Sequence, residues 1–314
     1  MATVFVSGTL PGAGVAALRA SHHVVQAEDG TRSAAFEECR ADVEAVVALL
    51  TDRIDAPLLE TTPRLRVVAN VAVGVDNVDL TACRARRVIV TNTPDVLTEA
   101  TADLAFGLLL AAARRIAEGD RLVRAGGFTG WTPTFMLGTR VHGATLGIVG
   151  LGRIGQAVAR RARGFSMNVL YTQRSRVDAE LAADATYLDL DELVTRADFV
   201  SLHCPLTPAT THLFDAGRLA RMKPGSILVN TARGPIVDEA ALAWALEHGP
   251  LAAAGLDVFE REPVVHASLL TRPNAVLAPH LGSADRPTRE AMASRAIANV
   301  LEVLAGRPPI SPIG

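Results

Sequence analysis

A chain of 314 residues is about twice the length of an ordinary single domain, so two domains are expected. With 49% hydrophobic and 20% charged residues, the composition is globular and excludes a disordered chain. Its 31 basic and 33 acidic residues nearly cancel, which removes the broad positive field that nucleic acid or an acidic membrane surface needs, so neither is expected as a partner.

The opening residues alternate β-type runs with amphipathic stretches: 3–6, a helix-like 12–20, 24–25, then 34–49, with an apolar run ending at Leu50. Residues 67–71 lead into a Gly74-Val75-Asp76 turn, and 88–91 into Asn92-Thr93-Pro94. This rhythm predicts a small parallel sheet covered by helices. The Ala-, Leu- and Phe-rich run 97–115 predicts one buried helix able to bridge two domains, with a boundary near residue 97.

A second series begins at Thr145, with strands predicted at 146–149, 168–171, 199–202, 226–229, 253–257 and 275–277, and a helix at 154–163. The final helix, about 287–304, can return to the first domain; the tail 308–312 reads as irregular. The fold class expected is α/β, two doubly wound parallel-sheet domains of Rossmann-like or flavodoxin-like type. Residues 1–97 and 287–314 form a discontinuous substrate-binding domain, and 98–286 a dinucleotide-binding domain inserted into it.

Three cysteines, Cys39, Cys83 and Cys204, cannot all pair, and no Cys or His cluster has metal-ligand spacing, so a reducing compartment and no metal are expected. The N-terminus lacks a basic region followed by a long apolar run, and no stretch approaches the ~18 uninterrupted apolar residues of a membrane span. A soluble, cytoplasmic protein is the expectation.

Gly150-Leu151-Gly152-Arg153-Ile154-Gly155 is a G-x-G-x-x-G between a predicted strand and a predicted helix. Glycines there permit a tight turn and close approach of backbone to a pyrophosphate, which the free N–H groups of the helix start would meet. An Asp or Glu about 20 residues on bonds the ribose hydroxyls in NAD sites. Here the second strand runs instead into Gln173-Arg174-Ser175-Arg176. Arg174 or Arg176 can pair with a 2′-phosphate, so NADP(H) is the preferred cofactor and NAD(H) a possible one.

Reduction of a ketone by hydride needs a proton for the developing alkoxide and a cation to hold and polarise the substrate. Arg233 follows the strand ending in Asn230-Thr231-Ala232, Asp257 ends the next, Glu262 comes shortly after, and His280 ends a third. Alone, Arg233 reads as a surface cation, Glu262 as a turn residue and His280 as a satisfied turn histidine. Behind a dinucleotide motif they read as one site.

These motifs, with Val73-Gly74-Val75-Asp76-Asn77, Pro94-Asp95-Val96-Leu97-Thr98-Glu99 and Trp131-Thr132-Pro133, resemble the D-isomer-specific 2-hydroxyacid dehydrogenase family over nearly the whole chain. Within it the chain is most similar to the glyoxylate/hydroxypyruvate reductase branch. The resemblance implies that Arg233 grips the substrate carboxylate and carbonyl oxygen and that His280 donates the proton. Glu262 would orient the imidazole and favour its protonated form. The backbone N–H groups of Val73 and Gly74 would meet the carboxylate. Asp257 would contact the nicotinamide carboxamide, while Thr101, Cys204, Thr231 and Ala232 line the cofactor, Cys204 through packing.

The resemblance also implies a homodimer built through the cofactor domain, with a small 2-keto or 2-hydroxy acid as substrate. Asp285 stands where the family commonly has a hydroxyl residue. The end at Gly314, without a regulatory extension, argues against a serine-biosynthesis role. Other readings are a D-lactate-type or phosphite-type dehydrogenase and, outside catalysis, a dinucleotide-sensing corepressor. A formate dehydrogenase pairs its histidine with glutamine, which Glu262 opposes.

Overall fold

The computed structural model describes residues 1–313, and the chain divides into two compact units: Met1–Leu97 with the segment from Ser283 onward, and Thr98–Gly282. The second boundary falls at 282/283, four residues ahead of the expected 286/287.

The first unit holds β1 (Thr3–Ser7), β2 (His23–Ala27), β3 (Val43–Ala48), β4 (Val67–Asn70) and β5 (Ile89–Thr91) in the order β2-β1-β3-β4-β5, every pair parallel. Apolar residues alternate to opposite faces and both faces are covered. Val4, Val6, Ala45 and Val47 pack with Ala293, Ala296, Ile297 and Val300 of the final helix, while Phe5, Val46 and Val68 pack with Phe36 and Leu59. Sheets buried on both sides give near-continuous hydrophobic strands, the signal read from the sequence. The 34–49 stretch is not one amphipathic element: it splits into a helix at Ala34–Cys39, capped by the Ser33 hydroxyl on the Phe36 N–H, and strand β3.

The final helix, Arg286–Leu304, belongs to this unit. Asp285 caps it, accepting hydrogen bonds from the N–H and hydroxyl of Thr288 at 2.7 and 2.8 Å. The departure from the family at Asp285 is thus a helix start. Nor is the tail merely irregular: the Ile313 N–H donates to the Val90 carbonyl, and buried Ser311 is bonded to Asn299 and Asn92.

The second unit has β6 (Thr145–Val149), β7 (Asn168–Thr172), β8 (Thr186–Tyr187), β9 (Phe199–Leu202), β10 (Ile227–Asn230), β11 (Ala253–Leu256) and β12 (Ala275–Leu277), all parallel, in the order β12-β11-β10-β9-β6-β7-β8. The order reverses between β6 and β9, the switch point outside whose carboxyl ends open α/β sheets bind ligands. The helix Thr98–Ala113 lies wholly in this unit. It stops short of the predicted end: Arg115, at φ 53°, turns the chain into a second helix, Ile116–Arg124.

Candidate active site

Gly150 leaves β6 at φ 97°, and a Cβ there would lie 2.8 Å from the Cys204 nitrogen and 2.9 Å from the His203 carbonyl. The loop after β9 therefore rests directly on the turn after β6, so only glycine fits. The helix Arg153–Arg163 starts at Gly152 with no side-chain cap and no acid in its first turn, leaving its N-terminal dipole for an external anion. Open space faces the Cβ position of Gly152, whereas Gly155 packs against the Gly150 carbonyl. Ile154 and Arg153 complete that first turn.

At the end of β7, the Gln173 side-chain oxygen accepts the Leu151 N–H at 3.1 Å and its amide donates to the Ser175 carbonyl at 2.7 Å. Gln173 thus ties the glycine turn to the loop carrying Arg174 and Ser175, both exposed. The Arg176 guanidinium lies 4.7 Å above the Tyr187 ring, which separates the two candidate arginines. Burial pushes the Cys204 thiol up to about 11, so it is neutral and packs. Burial also pushes His203 down to about 4, and this neutral imidazole is bonded to the Ser201 hydroxyl.

The polar residues after β10, β11 and β12 come together. Thr231 is buried with no partner for its hydroxyl among the described residues, and Ala232 adjoins it. A Cβ on Gly234 would overlap the backbone of Phe259 and Glu260, so the Arg233 turn packs against the segment that carries Glu262. The Glu262 carboxylate accepts the Phe259 N–H at 3.0 Å and pairs with His280 Nδ1 at 2.8 Å. Burial pushes the Glu262 carboxyl up, but the bond to His280, the imidazole charge, the Phe259 N–H and the Arg233 charge outweigh it, holding it below the usual range. Its stabilising contribution is complete above the ordinary carboxylate value and is lost as pH falls through the depressed one.

His280 has φ 55°, a left-handed conformation that needs external support. Asp257 supplies it. Its backbone carbonyl accepts the His280 N–H at 2.8 Å, and its carboxylate accepts those of Leu281 and Gly282 at 2.6 and 2.8 Å. Burial raises the Asp257 carboxyl, against those bonds and the His280 charge. Thr101 packs against Gly282 under the same turn.

Glu239 was not anticipated from the sequence. It is buried and accepts the N–H groups of Glu260 and His266 at 2.6 and 3.0 Å, fixing the loop that contains Glu262. At the first position of its helix it reads as an ordinary exposed dipole partner, so no local signal marks it. In the first unit, Val73 and Gly74 are half-buried in the loop after β4. Among the described residues no group of three or more His, Cys, Asp or Glu side chains could hold a metal ion, and no helix is long and apolar enough to cross a membrane.

A glycine turn at the switch point, an uncapped helix start and an orphaned buried hydroxyl fit a dinucleotide, and an Arg with a His–Glu pair fits carbonyl reduction. Residues 106–282 match the model of the D-isomer specific 2-hydroxyacid dehydrogenase NAD-binding domain, and the chain belongs to that family. It is 48% identical to a glyoxylate reductase of Thermococcus onnurineus (strain NA1), over 98% of this chain and 94% of that protein. Its structure resembles that of a glyoxylate reductase from Paecilomyes thermophila, with TM-score 0.92 and 33% identity over 99% and 98% of the two chains. It also resembles an NADPH-dependent glyoxylate/hydroxypyruvate reductase from Sinorhizobium meliloti in complex with NADP and malonate, with TM-score 0.90 and 35% identity over 100% and 97%.

Proposed function

We propose that this protein reduces small 2-keto acids, glyoxylate and hydroxypyruvate first among them, giving the D-hydroxy acid where the product is chiral. The observation that carries the reading is the 2.8 Å His280–Glu262 pair next to Arg233 at the strand ends. The glyoxylate reductases named above support the substrate class. Hydride is the chemistry that the reduced nicotinamide supplies when bound.

Arg233 holds the substrate carboxylate and polarises the carbonyl oxygen, a charge that no metal need provide. The N–H groups of Val73 and Gly74 receive the carboxylate. With Nδ1 engaged by Glu262, His280 presents Nε2 as the proton donor to the carbonyl oxygen, balancing the negative charge that reduction places there. Gly150, Gly152, Arg153, Ile154 and Gly155 would hold the pyrophosphate, Gln173, Arg174 and Ser175 the adenosine ribose end, and Thr101, Cys204, Thr231 and Ala232 the remainder. Each carboxylate oxygen has more than one lone pair, so Asp257 can meet the carboxamide while keeping its turn. Turnover of a panel of 2-keto acids with NADPH and NADH tests the reading; no turnover of any of them overturns it.

The preferred cofactor is NADPH, because the acid that would repel a 2′-phosphate is missing and exposed Arg174 stands at the end of β7. Arg174→Ala is expected to raise the KM for NADPH about 10- to 100-fold, as loss of a charge-assisted hydrogen bond does, and to leave that for NADH unchanged. Equal effects on both would remove Arg174 from phosphate recognition.

Glu262→Gln removes the carboxylate bonded to His280 Nδ1, whose own carboxyl is held below the usual range. The low-pH limb that this carboxyl contributes to the pH–rate profile is therefore expected to disappear, with kcat reduced. An unmoved limb would take Glu262 out of the mechanism.

The protein is further proposed to be a cytoplasmic homodimer. Its cysteines are all free, as in a reducing compartment. Ile116, Val123, Phe128, Trp131 and Leu137 expose apolar surface on one segment of the cofactor unit, Trp131 to 77%, the kind of surface a second copy covers. Sedimentation at twice the 33.0 kDa chain mass is the expected result.

A further inference from the structure

The loop after β4 is held from behind at three successive carbonyls. The Thr93 N–H donates to the Ala72 carbonyl at 2.8 Å, the Asn92 side-chain amide to that of Val73 at 2.9 Å, and the Asn70 side-chain amide to that of Gly74 at 2.9 Å. Neither asparagine is loose. Asn70 and Asn77 exchange amide hydrogen bonds at 3.1 Å in both directions, and Asn77 also donates to the carbonyls of Leu49 and Asp52. Asn92 donates its N–H to the Ser311 carbonyl and accepts the Ser311 hydroxyl, while Asn299 grips Ser311 in turn. Asn70, Asn92, Thr93 and Asn299 are all buried.

A trans peptide directs its N–H opposite to its C=O, and the cis bond in this chain lies elsewhere, at Glu262–Pro263. Pinning the carbonyls of residues 72, 73 and 74 therefore turns the N–H groups of Val73, Gly74 and Val75 out of the bonded network. Among the described residues none of these three N–H groups has an acceptor. We infer that Asn70 and Asn92 are positioning residues that preset three adjacent peptide N–H groups as the receptor for the substrate carboxylate. The inference rests on the keto-acid reading and assigns the receptor's rigidity to two side chains that do not touch the ligand. Donors fixed before binding need no reorganisation when the anion arrives. The chemistry calls for an amide at both places, since an aspartate would set an oxygen against a carbonyl oxygen.

The test compares Asn92→Ala and Asn70→Ala with wild type in the full chain. Its readouts are keto-acid KM and kcat, NADP⁺ affinity, thermal melting, and oxalate binding to the NADP⁺-saturated protein by calorimetry. The KM and the oxalate dissociation constant are expected to rise together by about tenfold, as loss of one well-placed hydrogen bond would give, with kcat changed less than about threefold and NADP⁺ affinity kept. Unchanged KM and oxalate affinity overturn the assignment, and so does a parallel fall in kcat and NADP⁺ affinity. Oxalate is not reduced, so wild type that binds oxalate but turns over no keto acid would sink the catalytic reading and leave the receptor standing. If a variant loses its melting transition, hydrogen exchange in wild type decides: the amides of residues 73–75 gain protection when oxalate binds, and no gain overturns the proposal.

Discussion

Replacing His280 with alanine is expected to lower kcat for keto-acid reduction by about 10²–10⁴-fold, the range that one positioned general acid contributes, while NADPH still binds. The separation follows from the local architecture. The imidazole is held at Nδ1 by Glu262, whereas the turn that carries it is built from backbone bonds to Asp257 that alanine can also make. Alanine must still adopt φ 55°, so some loss of stability accompanies the change. Fluorescence titration with NADPH beside steady-state kinetics makes the distinction. Near-normal kcat would dismiss His280 as the acid, and lost NADPH binding would show the turn itself to have collapsed.

For Arg233→Ala both kinetic parameters are expected to change, with kcat/KM falling by about 10²–10³-fold. That is the scale for removing one preorganised donor from developing negative charge. The KM rises because a carboxylate has lost its cation, and kcat falls because the carbonyl is less polarised. Arg233→Lys restores the charge but not the planar fork, so it should recover only part of the loss. The side chain also bears on Glu262, whose carboxyl it helps hold below the usual range. Steady-state kinetics at several pH values therefore separate its effect on substrate from its effect on the His–Glu pair. A KM left unchanged by Arg233→Ala would remove the residue from carboxylate binding.

Much of this molecule was legible because parallel strands buried on both faces leave continuous apolar runs, and the polar residues that end those runs stand at the carboxyl edge of a sheet. Arg233, Asp257 and His280 were singled out that way, and Thr231 and Ala232 only through the family resemblance. The supports of these residues were not. Glu239 looks like any acid in a first helical turn, and only the fold brings the N–H groups of Glu260 and His266 to it. Gly234 shows no sequence reason for being glycine until the backbone of Phe259 is seen against it. Arg115 breaks a helix without glycine or proline, by taking a left-handed conformation that arginine seldom adopts. The last helix was placed at about 287–304, and Asp285, read only as a departure from the family pattern, caps its start by accepting the Thr288 N–H.

One apolar face of the first sheet, with Val4, Val6, Ala45 and Val47, is covered by Ala293, Ala296, Ile297 and Val300, which come near the end of the chain. A ribosome delivers residues in order, so this face waits without its cover while every strand of the second unit is made. The unit begun first is thus the one completed last, because its apolar face has no cover until the final helix is made.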